Sequence, residues 1–152
     1  MDFYLVRHGQ AKLDSEDSRR PLSDGGRREV EKIARAAATK QIKVAEILCS
    51  DKLRAKETAE ILAGFLSPAR GIREISGLSP EDDPLVAQAD LGAAGESLML
   101  VGHLPHLSRL AALLLVGDSE KRVVDFAPAT LVCLGRERGT WSLGWILNPQ
   151  AA

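Results

Sequence analysis

The apolar positions of this chain follow two patterns. Four short blocks, Phe3 to Val6, Val44 to Cys49, Gly71 to Ile75 and Ser97 to Val101, have the length and character of strands. Between them, apolar residues recur at helical spacing. Val30, Ile33, Ala34 and Ala37 mark one face of a helix that opens at Ser23 to Gly26 and runs to about Lys40. Ser23 is its expected N-cap. Leu53, Ala59, Ile61 and Leu62 mark a second helix, from Ser50 or Asp51 to about Leu66. A weaker helix is expected over Leu85 to Leu91, and a very apolar one over His106 to Val116. Beyond residue 121 the pattern changes. Arg122 to Phe126, Thr130 to Leu134 and Thr140 to Leu147 read as strands, joined by turns at Pro128 and at Arg136 to Gly139.

Alternation of strand and helix predicts a single α/β domain over residues 1–152, built as three α/β/α layers. Its central sheet should be mainly parallel, with antiparallel edge strands from the C-terminal part. Two polar segments, Gln10 to Pro21 and Ser79 to Pro84, follow strands and read as loops. The 45% hydrophobic and 27% charged shares are ordinary, and 152 residues suffice for one core. Aromatics are only 4%, so aliphatic residues and alanine must build that core.

Charge narrows the partners. A net charge of -1 argues against a general nucleic-acid or membrane binder. Fifteen of the 20 Lys and Arg residues lie in the first half, which suits an anionic ligand or equally a solvated basic helix face. Cys49 and Cys133 each sit in an apolar run and form no CxxC pair, so they read as buried core residues. That usage fits a reducing cytoplasm. Asp2, Arg7 and His8 interrupt the N-terminus where a signal peptide needs an apolar stretch. Leu110 to Val116 is too short to span a bilayer. A cytoplasmic protein is expected.

Three polar features fall at equivalent places. Arg7-His8-Gly9 ends the first strand, Arg54 lies in the first turn after the second, and His103 follows the fourth. In an open parallel sheet the carboxyl ends of the strands line the ligand crevice, so these residues can meet. Arg7 and Arg54 carry donor forks that match phosphate oxygens. The helix start after Ser50 can add N–H groups. A neutral His8 can attack phosphorus, provided its other nitrogen finds an acceptor such as a backbone carbonyl. His103 can donate to the transferring group. Two guanidiniums and imidazoles supply the charge, so no metal or other cofactor is called for, and no GxxxxGK[ST] loop is present. Singly, each feature has an ordinary reading as a solvated or turn residue. Three together at strand ends are not explained that way.

The chain resembles the histidine phosphatase superfamily, which includes phosphoglycerate mutase-like proteins. The resemblance runs through Leu5-Val6-Arg7-His8-Gly9, Ser50 to Thr58 and Val101-Gly102-His103. It is most similar to the SixA-type phosphohistidine phosphatases, through its small size, Arg20-Pro21-Leu22-Ser23, His103-Leu104-Pro105 and Trp145 to Pro149. The resemblance implies that His8 is phosphorylated during turnover, that Arg7, Arg54 and His103 form the phosphate pocket with Gly9, and that Arg20 faces it. Arg20 reads equally as a loop arginine. Ser50 and Thr58 read as an N-cap and a packing position, and His106 as structural.

The resemblance also implies where a general acid would sit. Phosphomonoesterases of the superfamily place a carboxylate after the third strand, and SixA-type enzymes lack it. Here Gly77-Leu78-Ser79-Pro80 carries none, although Glu81, Asp82 and Asp83 follow. Three functions stay open at this level. One is a metal-independent phosphatase acting on phosphohistidine in a protein, such as a histidine phosphotransfer domain, releasing inorganic phosphate. Another is a small-molecule phosphomonoesterase with Glu81 or Asp82 as acid. The third is a phosphate-binding regulatory module. Little chain between Ile75 and Leu85 is left to form a lid, which favours the first.

Overall fold

The computed structural model describes all 152 residues. The strands are β1 (Asp2–Arg7), β2 (Glu46–Cys49), β3 (Ile72–Glu74), β4 (Leu98–Gly102), β5 (Leu131–Glu137) and β6 (Thr140–Leu147). The helices are α1 (Asp24–Thr39), α2 (Leu53–Leu66), α3 (Pro84–Ala93) and α4 (His106–Val116). One six-stranded sheet runs in the order β3-β2-β4-β1-β5-β6. Its first four strands pair in parallel, and β5 and β6 pair antiparallel. This is the expected α/β architecture with a C-terminal antiparallel edge.

Alternation along the strands sorts side chains to two cores. Tyr4, Val6, Ile47, Met99 and Val101 face Val30, Ile33 and Ala37 of α1 and Ala55, Ala59 and Leu62 of α2. Phe3, Leu5, Leu48, Leu98 and Leu100 face α3 and α4 through Ala87, Leu91, Leu107, Leu110 and Leu114. Ser23 caps α1, its hydroxyl oxygen accepting from Gly26 N–H at 3.0 Å. The β5–β6 hairpin turns on Arg138 and Gly139, both at positive φ (53° and 79°), as a tight hairpin turn requires.

One expected strand is absent. Residues 122–126 have no ladder partner. Both sides of β1 are taken, by β4 and β5, so this segment cannot pair there. Val124 and Phe126 instead bury their side chains over α4, and Arg122 closes a local ion pair with Asp125 at 2.8 Å. The apolar residues that read as a strand bury one side of a coil segment. No helix is long and apolar enough to cross a membrane.

Candidate active site

Strand register builds the site. Arg7 pairs with Gly102 between β1 and β4, and Cys49 pairs with Val101 between β2 and β4. Three adjacent parallel strands therefore end together, and the next residues, His8, Ser50 and His103, emerge side by side. The rings of His8 and His103 stand 4.9 Å apart, tilted by 57°. Arg54 lies in the first turn of α2. The charges of Arg54, Arg7 and Arg20 all act on the His8 ring. The structure thus brings His8 and His103 together and sets Arg7, Arg54 and Arg20 where their charges act on His8.

His8 is held at both ends. Its backbone N–H donates to Gly102 at 3.0 Å. Its ring Nδ1 lies 2.6 Å from the carbonyl oxygen of Gly9, an acceptor only, so Nδ1 carries the proton and Nε2 keeps its lone pair. Burial, reinforced by the three arginines, pulls the His8 pKa down to about 4. The ring is neutral across the physiological range.

Each arginine is fixed differently. Arg7 Nη1 donates to the Phe126 carbonyl at 2.8 Å, while its buried Nε has no partner. That bond gives the coil over residues 122–126 its place beside the site. Arg20 sits in a left-handed backbone conformation (φ 49°), and its Nε donates to the Lys12 carbonyl at 3.1 Å. Burial lowers the pKa of Arg7 and Arg54, yet a guanidinium stays charged. The Arg7, His8, Arg20 and Arg54 side chains are partly exposed, whereas His103 is buried.

The second motif does more than the sequence suggests. Ser50 does not cap α2, whose N-cap residue is Lys52, with no side-chain cap. Its hydroxyl lies 2.6 Å from His103 Nε2. Thr58 is buried as expected, but its hydroxyl also donates to the Arg54 carbonyl at 2.8 Å and accepts from Gly9 N–H at 3.1 Å. Gly9, expected at the phosphate, thus spends its N–H on Thr58 and its carbonyl on His8. It has no room for a Cβ, which would come within 2.6 Å of Val30 Cγ2. Glu57 accepts from Leu22 N–H at 2.7 Å and pairs with Arg27 at 2.9 Å, tying the loop that carries Arg20 to α2. These roles depend on strand pairing, which no local pattern in the sequence discloses.

The acidic loop has its own business. Asp82 accepts from Ser79 N–H at 2.9 Å, and Asp83 caps α3 by accepting from Leu85 N–H at 3.0 Å. Both act on the buried His106, and neither is among the charges that act on His8. Glu81 is exposed.

A set of arginines around a neutral, oriented histidine at parallel strand ends defines a site for phosphoryl chemistry. Residues 3–79 match the family model of the histidine phosphatase superfamily (branch 1), and the chain belongs to that superfamily. It is 28% identical over 154 residues to the phosphohistidine phosphatase SixA of Escherichia coli strain K12, covering 98% of this chain and 94% of that protein. The solved structure of the protein histidine phosphatase SixA complexed with tungstate superposes with a TM-score of 0.88 at 26% identity, over 99% of this chain and 98% of that one. A putative phosphohistidine phosphatase SixA from Agrobacterium tumefaciens shares the fold, with a TM-score of 0.81 at 24% identity over 97% of each chain.

Proposed function

We propose that this protein removes the phosphoryl group from a phosphohistidine carried on another protein, by way of a phospho-His8 intermediate and without a metal. One observation carries the reading: a neutral His8, its Nδ1 held by the Gly9 carbonyl, lies within the field of three arginines, while Asp82 and Asp83 are engaged by backbone N–H groups and Glu81 is exposed. In the first step the Nε2 lone pair attacks phosphorus in line. The bond from phosphorus to the substrate imidazole breaks, and that imidazole leaves with the electron pair, taking its proton from solvent. In the second step water attacks phosphorus, the bond to Nε2 breaks, and inorganic phosphate departs with the water's oxygen. Arg7, Arg54 and Arg20 hold the equatorial oxygens, and His103 donates to the same group.

The leaving group explains why no carboxylic acid is needed. An alkoxide must be protonated as it leaves, and general acid catalysis of that kind contributes on the order of 10²- to 10⁴-fold. Imidazole leaves readily once protonated from water. With Asp82 and Asp83 committed to backbone N–H groups, an ester would depend on the exposed Glu81 for its proton. The partial exposure of the pocket side chains suits a phosphohistidine on a folded partner, of the histidine phosphotransfer type used in cytoplasmic signal transduction. The likeness to SixA supports the same substrate class.

The test is a substrate panel: a phosphohistidine protein, phosphoramidate and several phosphomonoesters, each with chelator present. Phosphohistidine and phosphoramidate should turn over fastest and His8→Ala should abolish the reaction. Equal turnover of esters, with loss in Glu81→Gln or Asp82→Asn, would support the phosphomonoesterase reading. Tight phosphate binding without turnover of any substrate would support a binding module.

A further inference from the structure

Ser50 is fully buried, and its hydroxyl has a countable set of neighbours. The oxygen accepts a long hydrogen bond from Lys52 N–H at 3.3 Å. Its own proton needs an acceptor, because a buried hydroxyl left unpaired is costly. The acceptor in reach is His103 Nε2, at 2.6 Å. That nitrogen must then be unprotonated, which in a neutral imidazole puts the proton on Nδ1. His103 Nδ1 is itself buried and has no partner in the protein. It is a donor without an acceptor, on a ring 4.9 Å from the His8 ring.

We infer that Ser50 is a positioning residue that sets the tautomer of His103, so that His103 offers a neutral Nδ1–H donor to the phosphoryl group transferred at His8. The inference deepens the proposed reaction and rests on that reading. If Ser50 instead accepted from Nε2–H, Nδ1 would present a lone pair to an anion and repel it. Burial, with the Arg54 and Lys52 charges, holds the His103 pKa down to about 3, so a cationic His103 is not the alternative at neutral pH. The orphan N–H also gives the pocket a use for the incoming oxyanion, which pairs a donor that is costly while empty.

The tautomer can be read directly, without turnover. Ring ¹⁵N shifts of His103 should report Nδ1–H and a bare Nε2 in the wild-type protein. In Ser50→Ala the proton should move wholly or partly to Nε2, and binding of inorganic phosphate should weaken about tenfold or more, the loss of one good buried hydrogen bond. Ser50→Thr keeps the hydroxyl and should restore the wild-type tautomer. Wild-type His103 protonated at Nε2 would overturn the inference even if no variant folds. So would a Ser50→Ala protein with unchanged tautomer and unchanged phosphate affinity. Failure of the underlying reading looks different: His8→Ala would keep full phosphoramidate turnover while the His103 tautomer stayed as described.

Discussion

Gly9 N–H donates to the Thr58 hydroxyl at 3.1 Å, and that hydroxyl donates in turn to the Arg54 carbonyl at 2.8 Å. One buried side chain therefore links the loop that carries His8 to the helical turn that carries Arg54. Phosphoryl transfer depends on position, so a link between nucleophile and cradle bears on rate as well as on folding.

Thr58→Val keeps the shape and removes both bonds. It leaves the buried Gly9 N–H unpaired, so stability should fall by about 1–3 kcal/mol. Phosphoramidate kcat should fall as well, because the His8 ring loses part of its support. Thr58→Ser should restore both. Chemical denaturation and steady-state kinetics on the two variants decide the matter, and an unchanged kcat in Thr58→Val would show that the link is structural only.

Acid should destabilise the protein in a defined window. His8 and His103 have folded pKa values of about 4 and about 3, and burial also lowers that of His106. In the unfolded chain a histidine titrates near 6.5. Between these values the unfolded state binds more protons, so stability is full above about pH 6.5 and declines as pH falls toward 4. Urea unfolding at neutral pH and at about pH 4.5 should differ by at least about 1 kcal/mol. Phosphate at the pocket should push the His8 midpoint back up, since an anion favours the imidazolium. An NMR titration with an ordinary His8 midpoint would contradict the burial argument.

His106 is fully buried and neither ring nitrogen has a partner. Replacing it with Leu removes two unsatisfied polar atoms from an apolar helix. His106→Leu should gain about 1 kcal/mol in stability and unfold at lower pH than the wild type. Phosphoramidate turnover should be largely kept, because His106 is not among the charges that act on His8. A loss of stability would mean that the ring is paired with buried water.

Arg20 is carried on a left-handed residue and is held by Lys12 and, through Leu22, by Glu57. Its charge reaches His8 together with those of Arg7 and Arg54. Arg20→Ala should weaken inorganic phosphate binding about tenfold, the scale of one charge-assisted contact. Glu57→Gln should give a milder loss in KM at nearly constant kcat, since it loosens the loop and not the nucleophile. Unchanged phosphate affinity in Arg20→Ala would return Arg20 to the role of a surface loop residue.

Much of this was legible before any coordinates. Strand blocks and helical spacing located all six strands and four helices to within a few residues, because β1, β2 and β4 are short buried apolar runs and α1 buries one well-marked face. The segment 122–126 misled because apolar residues report burial and not pairing, and β5 takes the place beside β1. At the site, side chains with intrinsic phosphate chemistry stood out: His8, Arg7, Arg54 and His103. Ser50, Thr58 and Glu57 did not, because a hydroxyl or carboxylate on a helix start has many ordinary uses. Their partners, His103, Gly9 and Leu22, lie 35 to 53 residues away and meet them only once β2, β4 and β1 are side by side.

In the proposed reaction His8 Nε2 is the atom that receives the phosphoryl group. The direct measurement is to mix the protein with phosphoramidate, quench in alkali within the first turnovers, and map the phosphorylated residue by mass spectrometry. One phosphoryl group, stable in base and labile in acid, should be found on His8 and be absent from His8→Ala. Turnover with no phosphoprotein at any quench time, or a phosphoryl group on another residue with His8→Ala still active, would contradict the account.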